Sequence, residues 1–413
     1  MDNENVKKEL RKEWRKLWPR AMGGDGGVCP LCGYGGRSQS WGTGVYHLLQ
    51  DENPDGLVCV GCGFQGDAVE LLRRELEKDK GEEVTEDDVI REGITRLGRR
   101  PINAAEYLDT FWSADVAQMR AAENIRTGFS NIDNIAGGIY PGLYVLGALS
   151  SLGKTTFALQ LADNLAASGQ HVLFFSLEQS QAELVSKSLA RLSAQASPSG
   201  TKYGIDALTI RKGFVDAGVK KAMQQYRETI AERMNIIQGD FKCDAKLIRE
   251  EVNRFITEND VRPVVFVDYL QIIQQEDTRQ SLREQIDSTV TELKRISREY
   301  SVPAFVISSV NRSNYLTPID FESFKESGGI EYTADVVWGL QYQCLNEELF
   351  DKQNKTTEKR DRIREAKAED PRKIELLCLK NRYGRDYRCS FDYFPRVDLF
   401  KVSESDSGNW KTV

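Results

Sequence analysis

The sequence "YVLGALSSLGKTTFAL" (residues 144–159) joins an apolar run to a helical pattern through a loop of small residues. A strand, such a loop and a helix in this order bind phosphate, because backbone N–H groups wrap the anion and the helix N-terminus adds its positive dipole. Counting back from Gly153 puts Ala148, not Gly147, at the motif's first position, where a small side chain suffices. A chance Gly-Lys-Thr is the alternative, but it leaves the flanking strand and helix unexplained. We therefore predict a nucleotide site formed by Ala148, Ser150, Ser151, Leu152, Gly153, Lys154, Thr155 and Thr156.

Two carboxylates at the ends of later apolar runs complete the predicted ATP site. Lys154 would reach the β- and γ-phosphates of ATP, and the Thr155 hydroxyl would bind Mg²⁺. Asp268 ends "VVFVD" at the carboxyl edge of a sheet, where ligands of open α/β folds bind, and is expected to support the same Mg²⁺. Glu178 ends "HVLFFSLE" and could activate the attacking water. Taken alone, Glu178 could equally be a residue at a helix N-terminus.

Short, continuous apolar runs alternate with helical patterns from about residue 126 onward. Runs of this kind are typical of parallel strands that helices cover on both faces. The sequence therefore predicts an α/β domain with a mostly parallel sheet. The predicted strands lie within residues 143–148, 171–178, 263–273, 303–309, 335–342 and 374–380.

Four of the eight cysteines form two close pairs, Cys29-x₂-Cys32 and Cys59-x₂-Cys62, with 26 residues between the pairs. Four thiolates at this spacing predict a tetrahedral, structural Zn²⁺ site, and a glycine after each second cysteine allows a tight turn around the metal. Residues 21–66 are rich in Gly and short apolar runs, which favours a small β-rich zinc ribbon. The other cysteines lack ligand spacing and are interpreted as buried thiols in a reducing compartment: Cys243, Cys344, Cys378 and Cys389.

These patterns predict three parts along the chain: a zinc-ribbon domain with flanking helices (1–80), a helical connector (81–125) and an ATPase domain (126–413). A charged insert at about 345–373 interrupts the ATPase domain and is interpreted as a solvated helical excursion. Residues 1–20 form an amphipathic pattern with seven Lys and Arg. We favour packing of its apolar stripe on the next domain over a role in binding DNA.

The composition narrows the class of protein. The 413 residues are 40% hydrophobic and 29% charged, as in globular proteins, and the net charge of −7 excludes a uniformly basic nucleic-acid coat. Any nucleic-acid surface must therefore be local. No apolar run approaches the ~18 residues that a membrane-spanning helix needs. The N-terminus lacks an apolar signal region, so we expect a cytoplasmic protein without a membrane partner.

Six blocks in the predicted ATPase domain (126–413) resemble, in order, those of the RecA-fold motor domain of DnaB-type replicative helicases. The blocks are "TGFSNIDNIAGGIYPGLYVLGA", "FFSLEQS", "VVFVDYLQII", "VISSVNRS", "KESGGIEYTADVV" and "LKNRYG". From the first block to the last, they span about two-thirds of the chain. In the N-terminal part, "CVGCGFQGDAVELL" resembles the zinc-binding domain of bacterial and phage primases, although Cys32 stands where that family often has His.

The resemblance implies further site residues. Lys380 and Arg382 would project into the ATP site of the neighbouring subunit, whereas the plainer interpretation is a surface pair that meets local acids. The DNA-binding loop of the family corresponds to Lys325, Glu326, Ser327 and Gly328, which would line a central channel, although "KESGG" taken alone is an ordinary glycine turn. Ser309 departs from the family, which usually carries Gln there. A shorter side chain would then read the γ-phosphate, which bears on the coupling of hydrolysis to DNA movement.

The resemblance implies an ATP-dependent DNA helicase of replication that forms a hexamer and moves 5′→3′ on single-stranded DNA. ATP, Mg²⁺ and Zn²⁺ are the expected cofactors, and a primase or a helicase loader is a candidate partner. Two other functions stay open. One is a KaiC-like assembly ATPase, and the other is a zinc-dependent DNA-binding recruitment protein without unwinding activity.

Overall fold

The structure is a computed structural model. It describes residues 3–18, 29–31, 49–50, 57–59, 62–80, 83–97, 104–110, 112–122, 125–149, 151–196, 204–239, 244–270, 273, 282–311, 315–324, 328–350 and 355–404. Some residues with predicted roles lie outside these ranges: Cys32, Ser150, Cys243, Lys325, Glu326 and Ser327. The chain divides into two compact units, Met1–Gln118 and Met119–Val413, which are described separately.

The first unit combines helices with a small antiparallel sheet. The sheet pairs β1 (Leu49–Gln50) with β2 (Leu57–Val58) and β2 with β3 (Gln65–Gly66). The helices are α1 (Asn3–Leu17), α2 (Ala68–Lys80), α3 (Glu86–Arg96), α4 (Ala104–Thr110) and α5 (Trp112–Ala122). The last of these crosses the boundary between the two units.

The basic N-terminal pattern forms α1, and its apolar side belongs to the core of the first unit. Val6, Leu10 and the adjoining Trp18 are buried in a cluster that includes apolar residues of α2 and α3. On the polar side, Arg11 pairs with Asp67 at 2.6 Å, just before α2. These contacts favour the packing role of this helix over a role in binding DNA.

The second unit alternates strands and helices, as the sequence predicts. Its strands are β4 (Gly142–Ala148), β5 (Val172–Ser176), β6 (Met234–Gln238), β7 (Val264–Asp268), β8 (Pro303–Ser309), β9 (Val336–Tyr342), β10 (Arg372–Asn381), β11 (Tyr387–Phe394) and β12 (Leu399–Val402). Its helices are α6 (Ser130–Ala136), α7 (Lys154–Ala167), α8 (Gln181–Ala196), α9 (Ala207–Arg211), α10 (Ala217–Tyr226), α11 (Ala245–Asn259), α12 (Leu282–Tyr300), α13 (Gly328–Thr333) and α14 (Thr356–Ala368).

Within the described residues, these strands form one sheet in the order β12-β11-β10-β9-β4-β8-β7-β5-β6. The pairs from β9 to β6 are parallel, and β10, β11 and β12 extend the sheet by antiparallel pairing. The prediction of an α/β fold with a mostly parallel sheet is therefore confirmed. Every residue of β4, β5, β7 and β9 is buried, which explains why these strands read as continuous apolar runs.

The helix that follows the phosphate loop is fixed by residues from far along the chain. Gln160 of α7 donates to the backbone oxygen of Phe400 at 2.8 Å and accepts from its backbone N–H at 2.8 Å. Thr156 donates to Asp398 Oδ1 at 2.7 Å. These residues are about 240 positions apart, so the start of β12 acts as a brace for α7.

The charged insert contains α14, and most of the side chains described on this helix are exposed. Arg362 on this helix pairs with Glu347 at 2.7 Å and with Glu369 at 3.3 Å, which ties the helix to the chain on both sides. Among the helices that the structure describes, none combines the length and the apolar character that crossing a membrane requires.

Candidate nucleotide-binding site

The phosphate loop leaves β4 at Ala148 and enters α7 at Lys154, as the sequence predicts. Gly153 caps the helix with a φ of +87°, and a Cβ atom there would lie 2.9 Å from Cζ of Tyr393. Glycine is therefore required at 153 both by the left-handed backbone and by the nearby ring. Leu152 is fully buried in the apolar core, so its contribution to nucleotide binding is limited to its backbone.

A cleft of about 460 Å³ opens beside this loop, at the carboxyl ends of four parallel strands, β4, β5, β7 and β8. Such an edge is the usual ligand site of an open α/β sheet. The cleft brings together most of the residues predicted for the ATP site. These are Ala148, Ser151, Gly153, Lys154, Thr155, Thr156, Glu178 and Asp268.

Asp268 is the most deeply buried carboxylate of the cleft, with 1% of the residue exposed. Burial raises its pKa to about 6, and the charge of Glu178 adds to this rise, whereas a hydrogen bond from Thr155 opposes it. Its Oδ2 atom is buried without a hydrogen-bond partner among the described residues. A buried carboxylate oxygen beside the Thr155 hydroxyl is a suitable donor set for Mg²⁺, which prefers oxygen ligands.

Lys154 extends into the same space between the carboxylates and the end of β8. Burial lowers the pKa of this lysine, while the charges of Asp268 and Glu178 oppose that change. Its Nζ atom donates to Ser309 Oγ at 3.4 Å. The residue that departs from the family pattern thus contacts the lysine expected to bind the β- and γ-phosphates.

Glu178 lies two residues beyond the end of β5, with an exposed side chain that lines the cleft. The pKa of the neighbouring Tyr269 is raised chiefly by burial and next by the negative charge of Glu178. An exposed carboxylate within a phosphate-binding cleft can accept a proton from an attacking water. This position fits the role predicted for it.

The cleft also contains residues that the sequence analysis did not predict, among them Lys187, Tyr393 and Asp398. Lys187 comes from α8, and its Nζ lies 3.8 Å from Asp398 Oδ1. Asp398 also accepts the hydrogen bond from Thr156, so this predicted cofactor-binding hydroxyl is already paired. These residues lie in segments without a recognisable motif, and only the tertiary fold brings them to the phosphate loop.

Lys380 and Arg382, which are predicted to reach into the ATP site of the neighbouring subunit as a finger, lie outside the cleft of their own chain. Lys380 and Arg382 are at the end of β10 and just beyond it, on the antiparallel side of the sheet. Lys380 Nζ donates to the backbone oxygen of Glu331, and Arg382 donates to the backbone oxygen of Tyr332 at 3.0 Å. Both cations therefore meet the end of α13, the helix that begins at the predicted DNA-binding residue Gly328.

The described cysteines of the first unit converge, although Cys32 lies outside the described residues. The Sγ atoms of Cys29, Cys59 and Cys62 all lie within 4.8 Å of one another. Gly63, with a φ of +73°, donates its backbone N–H to the oxygen of Cys59 at 2.9 Å and so closes a tight turn. Three thiols at this separation on such a turn suit a tetrahedral zinc site.

Cys344, Cys378 and Cys389 in the second unit are buried and form no disulfide with any described residue, in agreement with their interpretation as structural thiols. Burial raises the pKa of Cys344 to about 11 and that of Cys378 to about 12. Thiols of this kind are unreactive at neutral pH, because the thiolate is the reactive form.

A strand, a glycine loop and a helix that begins with Lys-Thr, facing a buried aspartate on a nearby parallel strand, define a P-loop nucleoside triphosphatase. The family model described as the DnaB-like helicase C-terminal domain matches residues 124–402. This match covers more than half of the chain, and the chain belongs to that family.

Individual relatives are similar at low identity. A probable replicative DNA helicase of Trieres chinensis is 27% identical over 276 residues, which are 65% of this chain and 57% of that protein. The chain thus spans about half the length of the curated relatives it matches.

Two solved structures share the RecA-like fold. One, described as an ATPase domain, superposes with a TM-score of 0.59 at 20% identity, over 73% of this chain and all of that one. The other is described as the structure of a DnaB-like replicative helicase and its interactions with primase. It superposes with a TM-score of 0.57 at 19% identity, over 80% of this chain and 73% of that one.

Proposed function

We propose that this protein is an ATP-dependent DNA helicase of replication that assembles as a hexameric ring and moves 5′→3′ on single-stranded DNA. The observation that carries the proposal is the division of the catalytic groups. The cleft holds the phosphate loop and both carboxylates, while Lys380 and Arg382 lie away from it at the end of α13, the helix that begins at the predicted DNA-binding residue Gly328. A ring motor needs this division, because each ATP site is then completed by the next subunit.

Within the cleft, each group has a distinct role in ATP hydrolysis. The backbone of the phosphate loop and Lys154 hold the β- and γ-phosphates, and Glu178 takes a proton from the attacking water. Mg²⁺, held by Thr155 and supported by Asp268, would neutralise charge on the phosphate oxygens. The buried Oδ2 of Asp268, which has no partner among the described residues, supports this assignment.

Two groups would couple hydrolysis to DNA. Arg382, assisted by Lys380, would stabilise the charge that develops on the γ-phosphate in the neighbouring subunit. The segment Lys325, Glu326, Ser327 and Gly328 would contact the backbone of a single strand in the central channel. The contact of Arg382 with α13, which begins at Gly328, supports a connection between these two groups.

We also propose that Cys29, Cys32, Cys59 and Cys62 hold a structural Zn²⁺ ion. The convergence of three of these thiols supports the site. The zinc domain would contact single-stranded DNA, a primase or a helicase loader. The buried thiols of the second unit, which form no disulfide among the described residues, fit the cytoplasm as the compartment.

The test is ATPase activity with and without single-stranded DNA, together with unwinding of a forked duplex. The variants are Lys154→Ala and, as a matched control, Lys220→Ala at an exposed position of α10. We expect DNA to stimulate the wild type and the control. Lys154→Ala should lose about 100-fold in ATPase rate, because it removes the ammonium group that would hold the β- and γ-phosphates.

Other results would favour the other functions. ATP turnover that does not respond to DNA would replace the helicase with an assembly ATPase. DNA binding that depends on the cysteines and proceeds without unwinding would instead indicate a recruitment protein.

A further inference from the structure

The short helix α13 is held at both ends by charged side chains from other elements. At its start, the backbone N–H of Gly329 donates to Asp287 Oδ1 of α12 at 3.1 Å. At its end, the backbone oxygens of Glu331 and Tyr332 accept from Lys380 and Arg382. The orientation of these two cations therefore depends on the position of the helix.

Asp335, two residues beyond α13, contacts Arg382 in two further ways. Its side chain is 5% exposed, and Oδ1 accepts from Arg382 Nη1 at 3.2 Å. Its backbone oxygen accepts the backbone N–H of Arg382 at 3.0 Å. The guanidinium is thus held on two sides, by Asp335 and by the oxygen of Tyr332.

The two carboxylate oxygens of Asp335 have different partners. Oδ2 accepts the backbone N–H of Leu143 at 2.7 Å and also meets Lys294 Nζ. These contacts join Asp335 to β4, the strand that leads into the phosphate loop, and to α12. Oδ1 faces Arg382, whose side chain is 48% exposed. One buried carboxylate therefore links the rigid centre of the sheet to a half-exposed guanidinium.

We infer that Asp335 is the positioning residue for Arg382, and that together with α13 it makes the orientation of the finger depend on the DNA-binding segment. This inference rests on the proposed role of Arg382 in the neighbouring ATP site. An arginine on a mobile side chain must be oriented before it stabilises a transition state, and orientation by fixed partners lowers that cost. A movement of Gly328 and α13 would displace one of the two partners that orient the guanidinium.

The variant Asp335→Asn tests this role selectively. The N–H of Leu143 and the ammonium of Lys294 both require an acceptor, so the amide oxygen is expected to take the place of Oδ2. The NH₂ group then faces Arg382, where a donor meets a donor. The substitution thus removes the support of the finger while it keeps the contacts with the sheet.

A matched control is Glu375→Gln. Glu375 is also a buried acid of the same sheet, on the strand that leads to Arg382, and it pairs with Arg388 at 3.4 Å. Within the described part of the chain, its hydrogen bonds go to Gln341 and Asn346 rather than to the finger. Arg382→Ala completes the set and tests the finger itself.

The experiment measures kcat and KM for ATP with and without oligo(dT), the binding of a fluorescent ADP, and the melting temperature. We expect Asp335→Asn to lose about 10- to 100-fold in the DNA-stimulated kcat, the range for a misplaced catalytic group. KM and ADP binding should stay within about twofold, since the chain's own cleft is intact. Glu375→Gln should retain the wild-type kcat even if its melting temperature falls.

The outcomes separate this inference from the proposed function. If Arg382→Ala keeps the wild-type ATPase rate, the finger role fails and the positioning role fails with it. If Arg382→Ala is inactive but Asp335→Asn behaves like Glu375→Gln, only the positioning role is overturned. A loss of ADP binding in Asp335→Asn equal to its loss of kcat would also overturn it, because that pattern indicates general structural damage.

Discussion

The buried carboxylate of Asp268 predicts a conflict between stability and activity. Its Oδ2 atom has no hydrogen-bond partner among the described residues, although the side chain is almost wholly buried. Asp268→Asn removes the charge and keeps an oxygen that can accept from Thr155. We therefore expect this variant to be more stable than the wild type and inactive as an ATPase.

The pKa of Asp268 gives the size of the effect. Burial, chiefly, raises this pKa from 3.8 to about 6. Above pH 6 the folded protein must ionise a buried group that the unfolded chain ionises freely, so the carboxylate subtracts stability. The cost corresponds to about 3 kcal/mol, since one pH unit is worth about 1.4 kcal/mol. The new amide must also be buried, which leaves a net gain of about 2 kcal/mol.

Thermal unfolding in buffer free of nucleotide and magnesium measures this gain. At pH 8 the variant should melt about 4–8 °C above the wild type. The difference should fall to about a third by pH 5 and vanish near pH 4, because the wild-type carboxyl is then protonated in the folded state and partly protonated in the unfolded state. With MgADP, the wild type should recover the deficit through binding energy that the variant lacks.

A melting temperature of Asp268→Asn at or below that of the wild type at pH 8 would contradict this prediction. A difference in melting temperature that stays constant between pH 8 and pH 4 would contradict it as well. Either result would mean that the carboxylate is stabilised in the folded state by partners other than those described for it.

Two further changes test the loop and the zinc site. Gly153→Ala should weaken binding of a fluorescent ADP more than tenfold, because the new Cβ atom would clash with the ring of Tyr393. The left-handed backbone at this position costs an alanine about 1–2 kcal/mol in addition. Gly169→Ala has a comparable φ of +101° but open space around its Cβ, so it should lower the melting temperature and leave ADP binding unchanged. Cys59→Ser should reduce bound zinc from about one ion per chain to none and unfold the first unit. The control Cys344→Ser should keep its zinc. Equal zinc contents in the two variants would contradict the zinc site.

The parallel part of the fold could be predicted because burial on both faces leaves continuous apolar runs. β5 and β7 are examples, since all their residues are buried. The strands β6, β11 and β12 were not predicted from the sequence. In β11, buried and half-buried residues alternate along the strand, and β6 lies at an edge of the sheet, so neither forms such a run.

The site could be predicted where the chemistry lies in one local motif or directly after a strand. Lys154 and Asp268 satisfy this condition, and both line the cleft. Lys187 and Asp398 do not, because they reach the cleft through packing of α8 and of the turn before β12. The contact between Arg382 and Asp335 could likewise not be predicted from the sequence, since it joins residues 47 positions apart.

The brace between the start of β12 and α7 has a consequence for synthesis on the ribosome. Thr156 and Gln160 find their partners in Asp398 and Phe400 only after about 240 further residues have been translated. A growing chain therefore carries its phosphate loop for most of its synthesis without the support that fixes the following helix. We therefore expect nucleotide affinity to be acquired late in synthesis, so that partial chains stay out of any assembly that requires bound nucleotide.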